Sequence, residues 1–178
     1  MEISPILPPS DALIDFDMLD CAVRGPEVSI IEDKELNASD PPSVIELIGP
    51  DSRVTFFADC TRPYMVLNFK GIDRFLTILI VCVDDTGEQK NIHVTNKSSF
   101  ITADRSNIKA PLEIEDGWQF VCIDLEDFLA NAFGATYAMC KEVTVCGSCR
   151  LSKLYFQSQH YSDVELPKFL RVFGTEDN

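Results

Sequence analysis

Cys146-Gly147-Ser148-Cys149 is the spacing in this chain most suited to chemistry. Two thiols separated by two residues are half of a tetrahedral zinc site, or the pair of a thioredoxin-like redox centre. Zinc needs a second close pair, and the nearest ligand types, Cys122, Cys140 and His160, stand singly. The redox centre needs a βαβ setting, and that pattern is missing around the motif. The four residues are therefore expected as a hairpin with Gly147-Ser148 at its turn and two packed thiols beside it.

A Ser-His or Cys-His hydrolase would have to use His93 or His160, because the nucleophile needs a base within hydrogen-bond reach. His93 lies between Ile92 and Val94 in an alternating run, and His160 sits beside Tyr161 in a polar segment. No G-x-S-x-G elbow is present, and both histidines are expected to be structural. Carboxylates cluster at Asp84/Asp85, Glu115/Asp116 and Asp124/Glu126/Asp127. Adjacent acids on a strand point to opposite faces, which does not suit a glycosidase pair. Calcium is the milder alternative for such oxygen-rich loops, though none has EF-hand spacing. Phosphate-cradling glycine loops are absent. Trp118, the single tryptophan, alternates with Phe120, Cys122 and Asp124 and is expected as a core anchor. The competing reading is a sugar-stacking platform, as in a carbohydrate-binding module.

The elements that would hold these residues are mostly short strands. Residues 27–33, 43–49, 53–59, 64–69, 74–85 and 90–96 are apolar or alternating runs, separated by turn-forming residues such as Asp84-Asp85-Thr86-Gly87. One helix is expected from Leu125, capped by Asp124 and stopped at Gly134. A shorter one is expected from Ser162, where Ser162 and Glu165 have capping-box spacing. The fold class is mainly β, an antiparallel β-sandwich or jelly roll with one or two short helices. Residues 1–24, rich in proline and acids, read as an extended arm; 25–173 as a single β-sandwich domain; 174–178 as a disordered tail.

Composition narrows the function classes. With 46% apolar residues the chain can bury a core without disulfides or a structural metal. Seven cysteines, mostly inside apolar runs, read as reduced, packed thiols, and no signal peptide is evident at the N-terminus. The apolar run 75–83 is about half the length of a membrane-spanning helix. The net charge of −14 is uneven: thirteen acids against three bases through residue 60, and sixteen against twelve beyond it. Such a surface repels phosphate backbones and anionic lipids, so neither nucleic acid nor a membrane is the expected partner.

One stretch carries an ordered signature. It opens with Glu115, Asp116, Gly117 and Trp118, then a strand, then Leu125-Glu126-Asp127-Phe128. Gly134 and Tyr137 follow in an aromatic-glycine-x-x-tyrosine step. Cys149-Arg150 leads on to Tyr155-Phe156, and the stretch closes at Tyr161, Leu166 and Pro167. This series resembles the cilia- and flagella-associated protein twenty family, the inner-junction proteins of ciliary doublet microtubules. The resemblance extends over about residues 25–173.

It implies a non-enzymatic β-sandwich, similar in shape to carbohydrate-binding modules, without cofactor or catalytic residues. It implies an axonemal location in the cilium or flagellum, with basal bodies also associated with the family. The partner it implies is tubulin, a neighbouring axonemal microtubule-associated protein, or both. The main family member is strongly basic, whereas this chain is acidic. It is therefore expected to be a divergent acidic paralogue that binds another junction protein, or one that uses local bases such as Arg150, Lys153, Lys168 and Arg171, with the termini as further surfaces. A carbohydrate- or calcium-binding sandwich module is the alternative.

Overall fold

Period-two alternation of apolar residues makes most of this chain strand. The computed structural model describes residues 2–172. In order, these form β1 (Ile3–Leu7), β2 (Cys21–Arg24), β3 (Val28–Glu32), β4 (Ser43–Leu47), β5 (Arg53–Cys60), β6 (Tyr64–Asp84) and β7 (Gln89–Thr95). Then come β8 (Thr102–Ala103), β9 (Asn107–Pro111), β10 (Trp118–Asp124), helix α1 (Leu125–Phe133) and β11 (Tyr137–Gln157). Two 3-10 turns, Asp163–Glu165 and Lys168–Leu170, close the described chain. The tail expected at 174–178 lies outside the described residues.

The two long strands, β6 and β11, organise everything else. They pair antiparallel from Tyr137↔Asp84 to Gln157↔Tyr64, so each serves two half-sheets. In the first half-sheet β5 and β2 lie beyond β11, and β7, β9 and β8 lie beyond β6. In the second, β4 and β1 flank the later half of β11, and β10 flanks the early half of β6. Only β7 and β9 run parallel among these pairs. Folding the halves together makes the antiparallel β-sandwich.

The core draws on both halves. Val54, Phe56, Ile78, Ile80, Val143 and Val145 face inward from the first, and Ile45, Leu47, Leu67, Phe69, Leu151 and Phe156 from the second; all are fully buried. Burying each such side chain contributes about 1.5–3 kcal/mol relative to leaving it in water.

The bend between the halves falls inside Cys146-Gly147-Ser148-Cys149, and the expected hairpin does not form there. Pairing runs Gly147↔Leu76, skips Ser148, and resumes at Cys149↔Gly71. Ser148 is buried, and its Oγ accepts the Gly49 N–H at 2.8 Å. Gly147 has φ of 116°, and a Cβ there would lie 2.6 Å from the Phe75 carbonyl oxygen. Glycine thus supplies the backbone freedom for a bulge in a continuous strand. The run 64–69 and the run 74–85 merge into β6 for the same reason. The register of β6 with β11 jumps from Gly71 to Leu76, and the bend falls there.

The N-terminal residues lie on the body. β1 pairs only with β11, as an edge strand on which proline can be tolerated, and its register shifts between Pro5 and Leu7. Leu7 and Leu19 enter the core, and β2 adds an edge to β5. Helix α1 starts as expected: Asp124 Oδ1 accepts the Asp127 N–H at 3.0 Å. It ends at Gly134 in the left-handed region, φ 61°. At Ser162 the turn is 3-10, with Glu165 Oε2 accepting the Ser162 N–H at 2.7 Å.

Candidate interaction face

Side-chain parity sorts the second half-sheet into two faces. Val121 and Ile123 of β10 turn toward the core, so Trp118, Phe120 and Cys122 lie on the outer face. This corrects the expected role of Trp118. It does share a face with Phe120 and Cys122, but that face points away from the core. The inner positions Val121 and Ile123 take smaller β-branched residues, and Trp118 is the register partner of Lys70 on β6.

Across this face the register builds two polar rows. Trp118, Lys70, Arg150 and Glu46 align across β10, β6, β11 and β4. Phe120, Asn68 and Lys153 align in the next row. The loop after β3 folds over the first row. Arg150 donates from Nη1 to Asp33 Oδ2 at 2.8 Å and from Nε to Glu46 Oε2 at 2.8 Å. Lys70 pairs with Glu35. Asp33 Oδ1 also accepts the backbone N–H groups of Glu35 and Leu36. Burial pushes the Asp33 carboxyl up, but the Arg150 hydrogen bond, the two backbone donors and the Arg150 charge outweigh it and hold the group below its ordinary value. Arg150 is held above its ordinary value, first by the Asp33 hydrogen bond and then by Glu46.

Lys153 is 7% exposed, and its Nζ donates to Ser152 Oγ at 3.2 Å. Burial depresses its pKa, and the nearby Asp163 charge opposes that only in part. Three buried polar atoms of this face have no hydrogen-bond partner among the described residues: Asn68 Oδ1, Trp118 Nε1 and Gln157 Oε1. Trp118 is half-buried, and Phe120 is the more exposed aromatic at 44%.

The chain beyond β11 crosses the far end of the same face. Leu166 and Leu170 pack on Val66 and Tyr155, with Ile3, Tyr161 and Phe169 around them. Burial pushes the Tyr155 hydroxyl up to about 12. Glu2 donates its backbone N–H to Tyr161 Oη at 3.4 Å. Arg171 donates to the Leu166 and Val164 carbonyls, and Lys168 is exposed. Of the four expected contact bases, Arg150 is held by carboxylates, Lys153 is buried and Arg171 is engaged with backbone.

The remaining signature residues serve the scaffold. Tyr137 Oη donates to the carbonyls of Cys60 and Arg62, at 2.9 and 3.0 Å. Phe128 packs against the core, Cys149 and Phe156 are buried in it, and Pro167 caps the second 3-10 turn. Asp116 and Asp127 are exposed, and Gly117 has φ of 79° at the turn before Trp118.

The candidate catalytic groups are not arranged for reaction. His160 packs against Tyr64 with ring centroids 4.3 Å apart and the rings tilted by 48°, and its Nδ1 lies 4.0 Å from Cys122 Sγ. Burial and then Asp124 push the Cys122 thiol up, away from the thiolate a nucleophile needs. His93 faces outward on β7, in register with Lys109 of β9. Asp84 is occupied by its own turn, accepting from Thr86 N, Thr86 Oγ1 and Glu88 N at 2.7–2.9 Å. A cleft of about 570 Å³ next to it is lined by Glu88, Lys90, Asp104, Arg105 and Phe133. Lys90 there already binds the Arg105 carbonyl and Glu88, and Arg105 also binds Glu88. Among the described residues no group of three or more His, Cys, Asp or Glu could hold a metal ion. No helix of the described residues is long and apolar enough to cross a membrane.

Fold and face together define a β-sandwich scaffold on whose outer face Lys70, Arg150 and Lys153 are engaged within the chain. The CFA20 domain model matches residues 18–174, and the chain belongs to the CFA20 domain family. Cilia- and flagella-associated protein 20 of Chlamydomonas reinhardtii is 24% identical over 167 residues, covering 89% of this chain and 86% of that protein. The Paramecium tetraurelia protein of the same name is 23% identical over 163 residues, covering 86% and 83%. Among solved structures, the Clostridium thermocellum xylanase 10B CBM22-1–GH10 modules align with a TM-score of 0.48 at 10% identity, covering 90% of this chain and 29% of that one. A family 30 carbohydrate-binding module aligns with a TM-score of 0.45 at 11% identity, covering 90% of each chain.

Proposed function

We propose that this protein is a non-enzymatic structural component of the ciliary or flagellar axoneme. It associates with doublet microtubules, at the inner junction, and contributes to the stability and motility of the cilium. Its partners are tubulin, a neighbouring axonemal microtubule-associated protein, or both; basal bodies are a second location. The observation that carries this reading is the family match over residues 18–174, which includes nearly the whole sandwich, with curated relatives that are named cilia- and flagella-associated proteins. The chemistry agrees with it. The Cys122 thiol beside His160 is shifted away from reactivity, and the conspicuous charged row at Arg150 is used to hold a loop.

The test is localisation of a tagged copy in a ciliated cell. Periodic labelling along the doublets, retained after detergent extraction of the membrane, is the expected result. A signal confined to the cytosol or the medium would sink the reading.

A further inference from the structure

The largest local excess of bases in this acidic chain lies at one corner. Residues 90–109 hold Lys90, Lys97, Arg105 and Lys109 against the single acid Asp104, a local balance of 4 − 1 = +3 in a chain of −14. Lys90 and Arg105 are engaged with Glu88, whereas Lys97 and Lys109 form no ion pair among the described residues. Between these two lysines, in the connection from β7 to β8, Phe100 and Ile101 stand 76% and 69% exposed. They are adjacent in sequence, and each is far more exposed than Phe120.

The corner is held in shape from both sides. Asn96 Oδ1 accepts the Leu76 N–H at 2.8 Å, and Thr95 Oγ1 accepts the Lys97 N–H at 3.2 Å. Ser98 Oγ bonds both the N–H and the carbonyl of Phe100. On the far side Asp104 Oδ1 accepts from Ser106 N and Asn107 N, which pins β8 against β9. Register then sets Thr102 opposite Lys109, and Lys109 opposite His93. A cleft of about 370 Å³ opens between these residues beside the tip. A prearranged apolar pair loses less freedom on docking than a floppy one, so more of its burial appears as affinity.

We propose that Phe100 and Ile101, flanked by Lys97 and Lys109, form the tip through which this protein grips an acidic protein surface bearing a small apolar pocket. The partner is a protein rather than a membrane or a nucleic acid. Two cations neutralise too few phosphates to hold a nucleic acid, and one apolar pair inserts too little area for lasting attachment to a lipid surface. A single protein pocket ringed by carboxylates matches both the apolar pair and the lysines. This rests on the proposed axonemal reading, and it names the surface that reading lacks.

The test uses the full chain and microtubules polymerised from purified tubulin as the acidic probe. Three proteins are pelleted across a salt series: wild type, F100S/I101S and K97E/K109E. All four positions are on the surface or its rim, and circular dichroism and thermal midpoints check that the variants fold. The expected result is a loss of about tenfold or more in affinity for each double variant, with a flatter salt dependence for K97E/K109E. Equal pelleting of all three proteins overturns the inference, as does a wild type that does not pellet. Binding of wild type to phosphatidylserine vesicles that F100S/I101S abolishes also overturns it, in favour of a membrane. Tagged copies separate the two readings. Wild type and F100S/I101S equally retained on doublets sinks the tip alone. A wild type absent from cilia that still pellets through the tip sinks the axonemal reading alone.

Discussion

Arg150 reaches Asp33, 117 residues earlier in the chain, with Nη1 at 2.8 Å from Oδ2. The same guanidinium holds Glu46, so one side chain fastens the loop after β3 and strand β4 to the central strand β11. Asp33 is 1% exposed on its side chain, and removing its cation leaves a buried carboxylate unpaired. Arg150→Ala is expected to lower stability by about 2–4 kcal/mol. Arg150→Lys recovers little, because an ammonium cannot present two forked donors to two carboxylates. Urea midpoints of the two variants check this, and a Lys variant as stable as wild type would contradict it.

The same pair sets a pH dependence. The Asp33 carboxyl is lowered in the fold, so its contribution is fully present above the ordinary aspartate value of about 4 and is lost as pH falls through the lower folded value. Asp33→Asn is therefore less stable than wild type at neutral pH, and the gap narrows in acid below about pH 4. Thermal midpoints from pH 7 downward for the two proteins measure it; a gap independent of pH would refute the assignment.

Lys153 points the other way. Burial lowers its pKa, so the protonated form is disfavoured in the fold relative to the unfolded chain. That penalty is present at low pH and fades as pH rises from the folded value toward the ordinary lysine value of about 10.4. Lys153→Met, close in volume and uncharged, is expected to match or exceed wild-type stability at neutral pH. Its advantage shrinks in alkali, as denaturation at a series of pH values will report.

Gly147→Ala tests the bend. The substitution imposes a left-handed φ on alanine and places its Cβ 2.6 Å from the Phe75 carbonyl oxygen. A loss of about 2 kcal/mol or more is expected. Gly87→Ala is a control: its φ of 84° is also left-handed, but no atom lies within 4 Å of the added Cβ, and the loss is smaller. Similar losses at both sites would show that the bend has no special packing.

Thiol reactivity reports the layers directly. Cys60, Cys82, Cys140 and Cys149 are buried, while Cys122 is exposed and Cys21 and Cys146 are half-buried. Under native conditions iodoacetamide should modify Cys122 first, slowly, since its thiol is shifted up, and leave the four buried thiols intact until denaturation. Mass spectrometry of timed samples identifies the order. Early labelling of Cys140 would contradict the packing.

Local features were legible in advance where local chemistry decides them. Asp124 and Gly134 bound α1 because a cap is a contact with residues three or four away. The strand segments followed from alternation, and the ordered series from Glu115 to Pro167 pointed to the family. The misreadings share one cause. Alternation groups Trp118 with Phe120 and Cys122 on one side of β10, but which side is inward depends on the strand across the sandwich. Cys146 to Cys149 has hairpin composition, yet the Gly147 bulge and the Ser148 bond to Gly49 keep β11 continuous. The short strands β8 and β9 are too brief to show an alternation, and β9 sets Lys109 opposite Thr102 beside the tip.

By its sequence alone this chain determined its class, its strand segments, its helix caps and its family, because each rests on interactions within a few residues or on an ordered series of residue types. Tertiary structure decided which way each strand faces, that Arg150 is taken by Asp33 and Glu46, that Lys153 is buried, and that Phe100 and Ile101 stand free. Those outcomes depend on strand register and on chain segments a hundred residues apart. Alternation gives a strand two faces, and only packing chooses which of them meets water.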